Sequence, residues 1–325
     1  GLCMLMPSLL FITEFSTVWL QDPFVLYRSY LWSIALPLLF AIPFVGRTSK
    51  QLYAVVLIVL GVLAASAYER IGSLQSPTSV WADASEKIDR QASPNSVGRW
   101  RPFLNQGAEA AGRDDFEGAL RLFSLAATLG EPMGSARFNM GVSLQQLRKH
   151  DLALQNFAAA EAKGFTEAGL YYQRGESQFA LRRYAEAYDS FTKSLTLPQV
   201  AEAEEFTRRR QAEAAVASRN YDQAISSYKQ LIQNSPGKQG YQVGLSMAYV
   251  GKKDYPAALD ILNPVVAQRP TGPAYYARAL TYFYMGNRAA SGQDLELALR
   301  AEPNNTTYRQ LQTMLALPTK SPAKP

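Results

Sequence analysis

The stretch from Gly134 to Gly164, GSARFNMGVSLQQLRKHDLALQNFAAAEAKG, holds Gly141, Ala153, Phe157 and Ala160 at intervals that recur on both sides of it. One period of about 34 residues upstream stand Gly107, Ala119, Phe123 and Ala126, and one period downstream stand Gly175, Ala187, Phe191 and Ser194. The spacing has a steric reading. A small residue lets one helix meet the next, a second small residue marks their closest crossing, and an aromatic ring fills the space between them. Each period therefore codes for a pair of packed helices. One pair cannot bury its own apolar face, so stability has to come from stacking at least ~3 of them.

Downstream the pattern weakens but keeps its phase, with Ala212, Ala224, Tyr228 and Pro236, then Tyr249, Ala258 and Pro270, then Ala279, Tyr282, Ala298 and Pro303. Proline near the end of a unit stops its second helix, since it cannot donate the intrahelical bond and clashes with the preceding turn. Unit starts fall near 100, 134, 168, 205, 239 and 272, and a short insertion around Pro198 to Glu204 is expected in a loop. Residues 305–316 read as a capping helix and 317–325 as a basic, Pro-rich, disordered tail. These intervals resemble the tetratricopeptide (TPR) repeat. The expected fold is all-α, with N-terminal transmembrane helices followed by an α-solenoid of about six TPR helix pairs over residues 100–305.

The first 68 residues differ in kind. Glu14, Asp22, Arg28, Arg47 and Lys50 are the only charges before Glu69. Residues 31–46 and 52–68 are free of charge, close to the lower limit of about 17 residues for a spanning helix, and Trp32, Tyr53 and Tyr68 suit the headgroup zone at their ends. Residues 1–20 read as a third span, a re-entrant segment or the end of a span; residues 69–99 read as a linker. Arg47 and Lys50 between the spans mark that loop as cytoplasmic, which places the repeats in a periplasm or a secretory lumen, with a bacterial inner membrane as the expected bilayer. Glu14 at mid-membrane would need a partner, and Arg28 is the candidate; an interfacial position for both is the other reading.

The net charge of +6 and pI near 9.2 come from cations interleaved with acids, so nucleic acid is not an expected partner. Cys3 is the one cysteine and His150 the one histidine. No cysteine or histidine cluster has metal-ligand spacing, no cofactor is expected, and nothing in the repeats has the pattern of a catalytic site. The expected site is a surface. Positions 2, 5, 9 and 12 of the first helix in a TPR unit line the groove that takes a protein or peptide, and here they include Phe138, Tyr172, Phe179, Arg209, Tyr276 and Phe283. The competing reading makes such aromatics core residues. The run Arg208 to Arg210 likewise reads either as an anion clamp or as a solvated helix face.

Two patches outside the repeats carry a further resemblance: Tyr27-Arg28-Ser29-Tyr30-Leu31, and Trp81-Ala82-Asp83-Ala84 leading to Arg101-Pro102. They resemble, in the same order, the end of GT-C type membrane glycosyltransferases with C-terminal TPRs, such as TPR-bearing O-mannosyltransferases and their bacterial relatives. Tyr27 stands where an acid often precedes the arginine, and Trp32 where proline often follows the leucine. The resemblance implies the non-catalytic C-terminal part of a polyprenyl-phosphate-sugar-dependent transferase, with the catalytic acids upstream and Arg28, beside Glu14, facing the lipid-phosphate donor. Gly1 in place of an initiator Met fits that expectation. The alternative is a stand-alone, membrane-anchored TPR adaptor in secretion, pilus or envelope-complex assembly.

Overall fold

In the computed structural model of the chain, residues 75–88 and 98–316 are described throughout, with scattered positions between 48 and 71. The expected spans 1–20 and 31–46, the Glu14 and Arg28 pair and the tail 317–325 lie outside the described residues. Among the described residues fourteen helices form and no strand does. The chain divides into two compact units, Gly1–Glu131 and Pro132–Pro325.

The first unit holds α1 (Pro77–Glu86), α2 (Arg101–Gly112) and α3 (Phe116–Thr128). Helix α1 lies within the range read as a linker. Ser76 starts it with a capping box, its hydroxyl accepting from the Ser79 backbone N–H while the Ser79 side chain accepts from the Ser76 N–H, and Pro77 occupies the first turn. Gln106 of α2 ties α1 down by donating to the Trp81 carbonyl at 2.6 Å and the Ser85 hydroxyl at 2.8 Å. Asp115 caps α3 through the Gly118 N–H at 2.8 Å.

The second unit runs α4 (Ser135–Gln146), α5 (His150–Ala162), α6 (Ala168–Ala180), α7 (Tyr184–Leu195), α8 (Ala201–Ala217), α9 (Tyr221–Asn234), α10 (Gln239–Gly251), α11 (Tyr255–Gln268), α12 (Gly272–Tyr284), α13 (Arg288–Ala301) and α14 (Thr306–Ala316). Within each pair the first helix, A, meets the second, B, at the small and aromatic positions. Phe123, Phe157 and Phe191 are buried, as are Ala119, Ala153 and Ala187. A Cβ on Gly107 would lie 2.5 Å from the Phe123 ring and one on Gly175 2.6 Å from Phe191, with the same collision at Gly141 and Phe157. Glycine is required there by the ring, not by backbone geometry. Where Ala212, Ser246 and Ala279 replace it, Tyr228, Leu262 and Leu295 fill the B-helix position.

The A-to-B turns share one stop. Asp114, Arg148, Arg182, Arg219, Lys253 and Gly286 adopt left-handed backbone, with φ of 62°, 58°, 60°, 65°, 67° and 81°. In each case the following N–H reaches back five residues, as in Lys149 to Leu144 O at 2.8 Å and Asn220 to Ala215 O at 2.8 Å. This is the Schellman closure, which satisfies the last carbonyls of helix A. Successive stops are separated by 34, 34, 37, 34 and 33 residues, by subtraction of those numbers. The long interval holds the insertion, and only part of it is loop. Ala201 to Glu204 form an added first turn of α8, which at 17 residues exceeds the 12 to 14 of the other paired helices in this unit. Alanine and glutamate favour helix, and Glu202 and Glu204 in the first turn suit its dipole, so these residues join α8 once Val200 has ended the extended segment.

Polar side chains fasten neighbouring pairs. Glu161 of α5 accepts from the Tyr171 hydroxyl at 2.8 Å, Arg174 at 2.8 Å and Lys193 at 2.9 Å, and the two cations flank the Tyr171 ring at 4.9 and 4.2 Å. Arg278 of α12 grips Asp294 of α13 with two bonds of 2.7 and 2.8 Å and reaches Asn263 of α11 at 3.3 Å. Helix α14 closes the stack, burying Tyr308 and Leu311 against Ala279, Leu280, Leu295 and Ala298. No helix among the described residues is long and apolar enough to cross a membrane. The described helical positions in 52–68 include Tyr53, Leu57, Ile58, Val62 and Tyr68, exposed by 61 to 81%.

Candidate functional site: the A-helix face

The six expected groove residues all lie on A helices of the second unit and are all half-buried. They do not form one cluster. Phe138 on α4 stacks on Phe165 at 4.7 Å between ring centres and tilts against Phe157 at 6.0 Å. Tyr276 on α12 stacks on Tyr308 of the capping helix at 4.8 Å, and Phe283 meets Tyr284 edge-on at 5.6 Å. Each of these rings serves packing with part of its surface.

Tyr172, Phe179 and Arg209 come together with residues from neighbouring positions. Arg210 of α8 donates to both oxygens of Glu176 on α6, at 2.5 and 3.1 Å, and to Glu213 at 2.5 Å, while its guanidinium lies 4.2 Å over the Phe179 ring. Burial works against the Arg210 charge, but Glu176 and Glu213 outweigh it and hold the pKa above the usual arginine value. Arg210 is thus committed within the protein, a fork-to-carboxylate clasp joining consecutive A helices. Arg209 donates to Glu213 at 2.8 Å and leaves much of its side chain in water. Arg208 is held by Glu204 at 2.7 Å and by Gln230. Burial, then Glu176, pushes the Tyr172 hydroxyl above its ordinary pKa.

Beside this clasp a cleft of ≈ 280 Å³ opens between α6 and α8, lined by Gly169, Tyr172, Gln199, Ala203, Phe206 and Thr207 together with Ala168. Phe206 on its α8 side is 58% exposed, with the Arg209 guanidinium 5.9 Å from its ring centre. The position rule that selects Arg209 also selects Phe206 and Glu213 in the same unit, and Glu176 in the one before. The cleft itself was not legible, because it depends on the added turn of α8 being helical. Among the described residues no group of three or more histidine, cysteine, aspartate or glutamate side chains could hold a metal. His150 opens α5 half-buried, its Nδ1 without a hydrogen-bond partner among the described residues.

Stacked helix pairs with a recurrent left-handed stop define an α-solenoid, a class that offers one extended face for binding. Residues 215–282 and again 272–305 match tetratricopeptide repeat models, so this part of the chain is a run of TPRs. No curated protein matches the chain. Among solved structures, the C-terminal part of a TPR repeat-containing protein from Cytophaga hutchinsonii aligns at 14% identity and TM-score 0.51, covering 72% of this chain and 92% of that one. Pseudomonas aeruginosa pilF aligns at 14% identity and TM-score 0.48, over 66% of this chain and 97% of that one. A tetratricopeptide repeat protein from Parabacteroides merdae aligns at 17% and 0.45, over 78% and 98%. The likeness to the Cytophaga hutchinsonii protein is one of fold alone.

Proposed function

We propose that this chain is a membrane-anchored interaction module whose A-helix face, from α4 to α12, binds an extended segment of another protein on the outer side of a membrane. The observation that carries the reading is the set of half-buried aromatics on the A helices α4, α6 and α12, with Phe206 of α8 largely exposed beside the Arg210 clasp. Partial packing holds such rings in place, and the remaining ring surface is available to a partner at little cost in side-chain entropy.

The anchor is supported by Tyr53, Leu57, Ile58, Val62 and Tyr68, whose exposed apolar surface on a helix calls for a nonaqueous cover. A bilayer is that cover, with residues 31–46 and 52–68 as spans and the Arg47 to Lys50 loop in the cytoplasm. The motifs at Tyr27 to Leu31 and Trp81 to Ala84 support the narrower reading, a non-catalytic C-terminal part of a polyprenyl-phosphate-sugar-dependent glycosyltransferase. Arg28 and Glu14 then adjoin the lipid-phosphate donor.

Two experiments test this. A single cysteine introduced at residue 325, in a Cys3→Ser background, should react with an impermeant reagent added outside the cell; labelling only from the cytoplasm would overturn the orientation. In the natural full-length protein, Arg28→Ala should abolish sugar transfer from a polyprenyl-phosphate donor while the repeats stay folded. Transfer at the unaltered rate, or a reading frame that begins at Met4 or Met6, would leave the adaptor reading in its place.

A further inference from the structure

The cleft between α6 and α8 exists because the array is out of register there. Helix α8 starts at Ala201, four residues before the repeat phase requires, and Gln199 and Ala203 from the insertion form one wall while Ala168, Gly169 and Tyr172 form the other. Its volume of ≈ 280 Å³ exceeds the about 150 Å³ cavity that holds a benzene ring and falls short of the about 300 Å³ where small-molecule pockets begin. That size suits one large apolar side chain rather than a free ligand.

The cations at its edge are paired: Arg209, whose guanidinium lies 5.9 Å from the centre of the Phe206 ring, donates to Glu213. Each arginine of the 208 to 210 run is already matched to a glutamate within the protein. Glu167 and Glu202, adjacent in sequence to the lining residues Ala168 and Ala203, are exposed, and their carboxylates hold no hydrogen bond or ion pair among the described residues. The unmatched charge at the rim is therefore negative, which favours a cation beside the inserted side chain.

We propose that this cleft is an anchor subsite for a protein segment in which an aromatic or leucine-sized side chain is followed by lysine or arginine. The assignment rests on the A-helix face being a binding surface and names the chemistry of what binds there. Phe206 covers the inserted side chain, and Glu167 and Glu202 receive the cation.

The test uses the full chain in lipid nanodiscs and three fluorescein-labelled, end-capped hexapeptides with the central pairs Phe-Lys, Ala-Lys and Phe-Glu, followed by anisotropy against empty nanodiscs. Loss of the buried ring should weaken binding ~10-fold or more, and reversing the charge ~3- to 5-fold. The decisive variant is Gly169→Leu. Gly169 lines the cleft and a Cβ built on it meets nothing within 4 Å, so a leucine there starts into open space, and helix propensity favours it. Gly169→Leu should abolish Phe-Lys binding, with unchanged circular dichroism, and Glu167→Gln with Glu202→Gln should erase the difference between Phe-Lys and Phe-Glu.

Equal binding of the three peptides, no binding of Phe-Lys to the unaltered chain, or full retention in Gly169→Leu would each overturn the assignment. So would a dimer in sedimentation that Gly169→Leu dissolves, since the occupant would then be a second copy. A chain that crosslinks a partner along Phe138 and Tyr276 yet ignores the peptides loses the subsite alone. A native partner that crosslinks only on the B helices, with Phe-Lys still preferred, would overturn the wider reading and with it the assignment of the cleft to that partner.

Discussion

Four of the helix stops in the second unit spend stability on a backbone conformation that their side chains disfavour. Arg148, Arg182, Arg219 and Lys253 sit at φ between 58° and 67°, exposed, with Gly286 as the corresponding residue of the last pair. A left-handed residue with a Cβ costs about 1–2 kcal/mol. Glycine removes that cost but gives back about 0.5–1 kcal/mol in unfolded-chain entropy. Each replacement by glycine should therefore stabilise by about 0.5–1 kcal/mol. In a repeat stack with distant, independent sites the gains add, so Arg148→Gly, Arg182→Gly, Arg219→Gly and Lys253→Gly together should give about 2–4 kcal/mol. Urea titration of the purified chain by circular dichroism would read this as a higher midpoint at unchanged slope. The same four positions changed to alanine keep the left-handed strain and should gain nothing, while Gly286→Ala should lose about 1 kcal/mol. A fourfold alanine variant as stable as the glycine one would refute the backbone account and point to charge removal instead.

Other perturbations address the packing and the ionisable groups. Phe157→Ala should destabilise by about 3–5 kcal/mol in the same titration, because the ring is fully buried between Gly141 and Ala153; a loss under about 1 kcal/mol would mean the pair collapses around the void. Asp294→Ala strands Arg278, whose carboxylate partner is only 5% exposed, and should cost more than Asp294→Asn, which keeps an acceptor. Burial first, then Glu205, pushes Tyr241 up to about 12, and burial with Glu302 does the same for Tyr308; burial also raises Tyr228. Folded pKa values above the ordinary tyrosine value of 10.0 mean that stability is complete below pH 10 and falls as pH rises toward 12, and phenolate absorbance should lag free tyrosine until the chain unfolds. Glu205, held low first by Lys238 and then by Tyr241, has the opposite sign: its contribution is present above pH 4.5 and is lost as pH falls through the depressed value. Tyr241→Phe should reduce that acid dependence.

Sequence legibility followed how local and how exclusive each constraint is. Gly107, Gly141 and Gly175 announced themselves because a ring 16 residues later leaves no room for a methyl group. The stops at Arg148, Arg182, Arg219 and Lys253 did not, since none is the glycine or asparagine that signals a left-handed residue. Helix α1 falls inside the range that reads as a linker, although Ser76 before Pro77 is a start signal. The insertion reads as a loop because it interrupts the repeat phase, whereas Ala201 to Glu204 have helical propensity throughout and join α8. Within the candidate site Tyr172, Phe179 and Arg209 followed from repeat position, but the role of Arg210 depended on Glu176, 34 residues away on another helix. Pairings of that range, like Lys193 with Glu161, need the register of the stack before they can be seen.

The reading of the chain as a binding module stands on where a partner touches it. A photo-crosslinking residue placed in turn at Phe206, Arg209 and Tyr276 on the A helices, and at Lys229 and Glu296 on the B helices, would locate that contact in native membranes. Adducts of one partner at the three A-helix positions, and none at the two B-helix positions, are the predicted result. Adducts confined to Lys229 and Glu296 would contradict it.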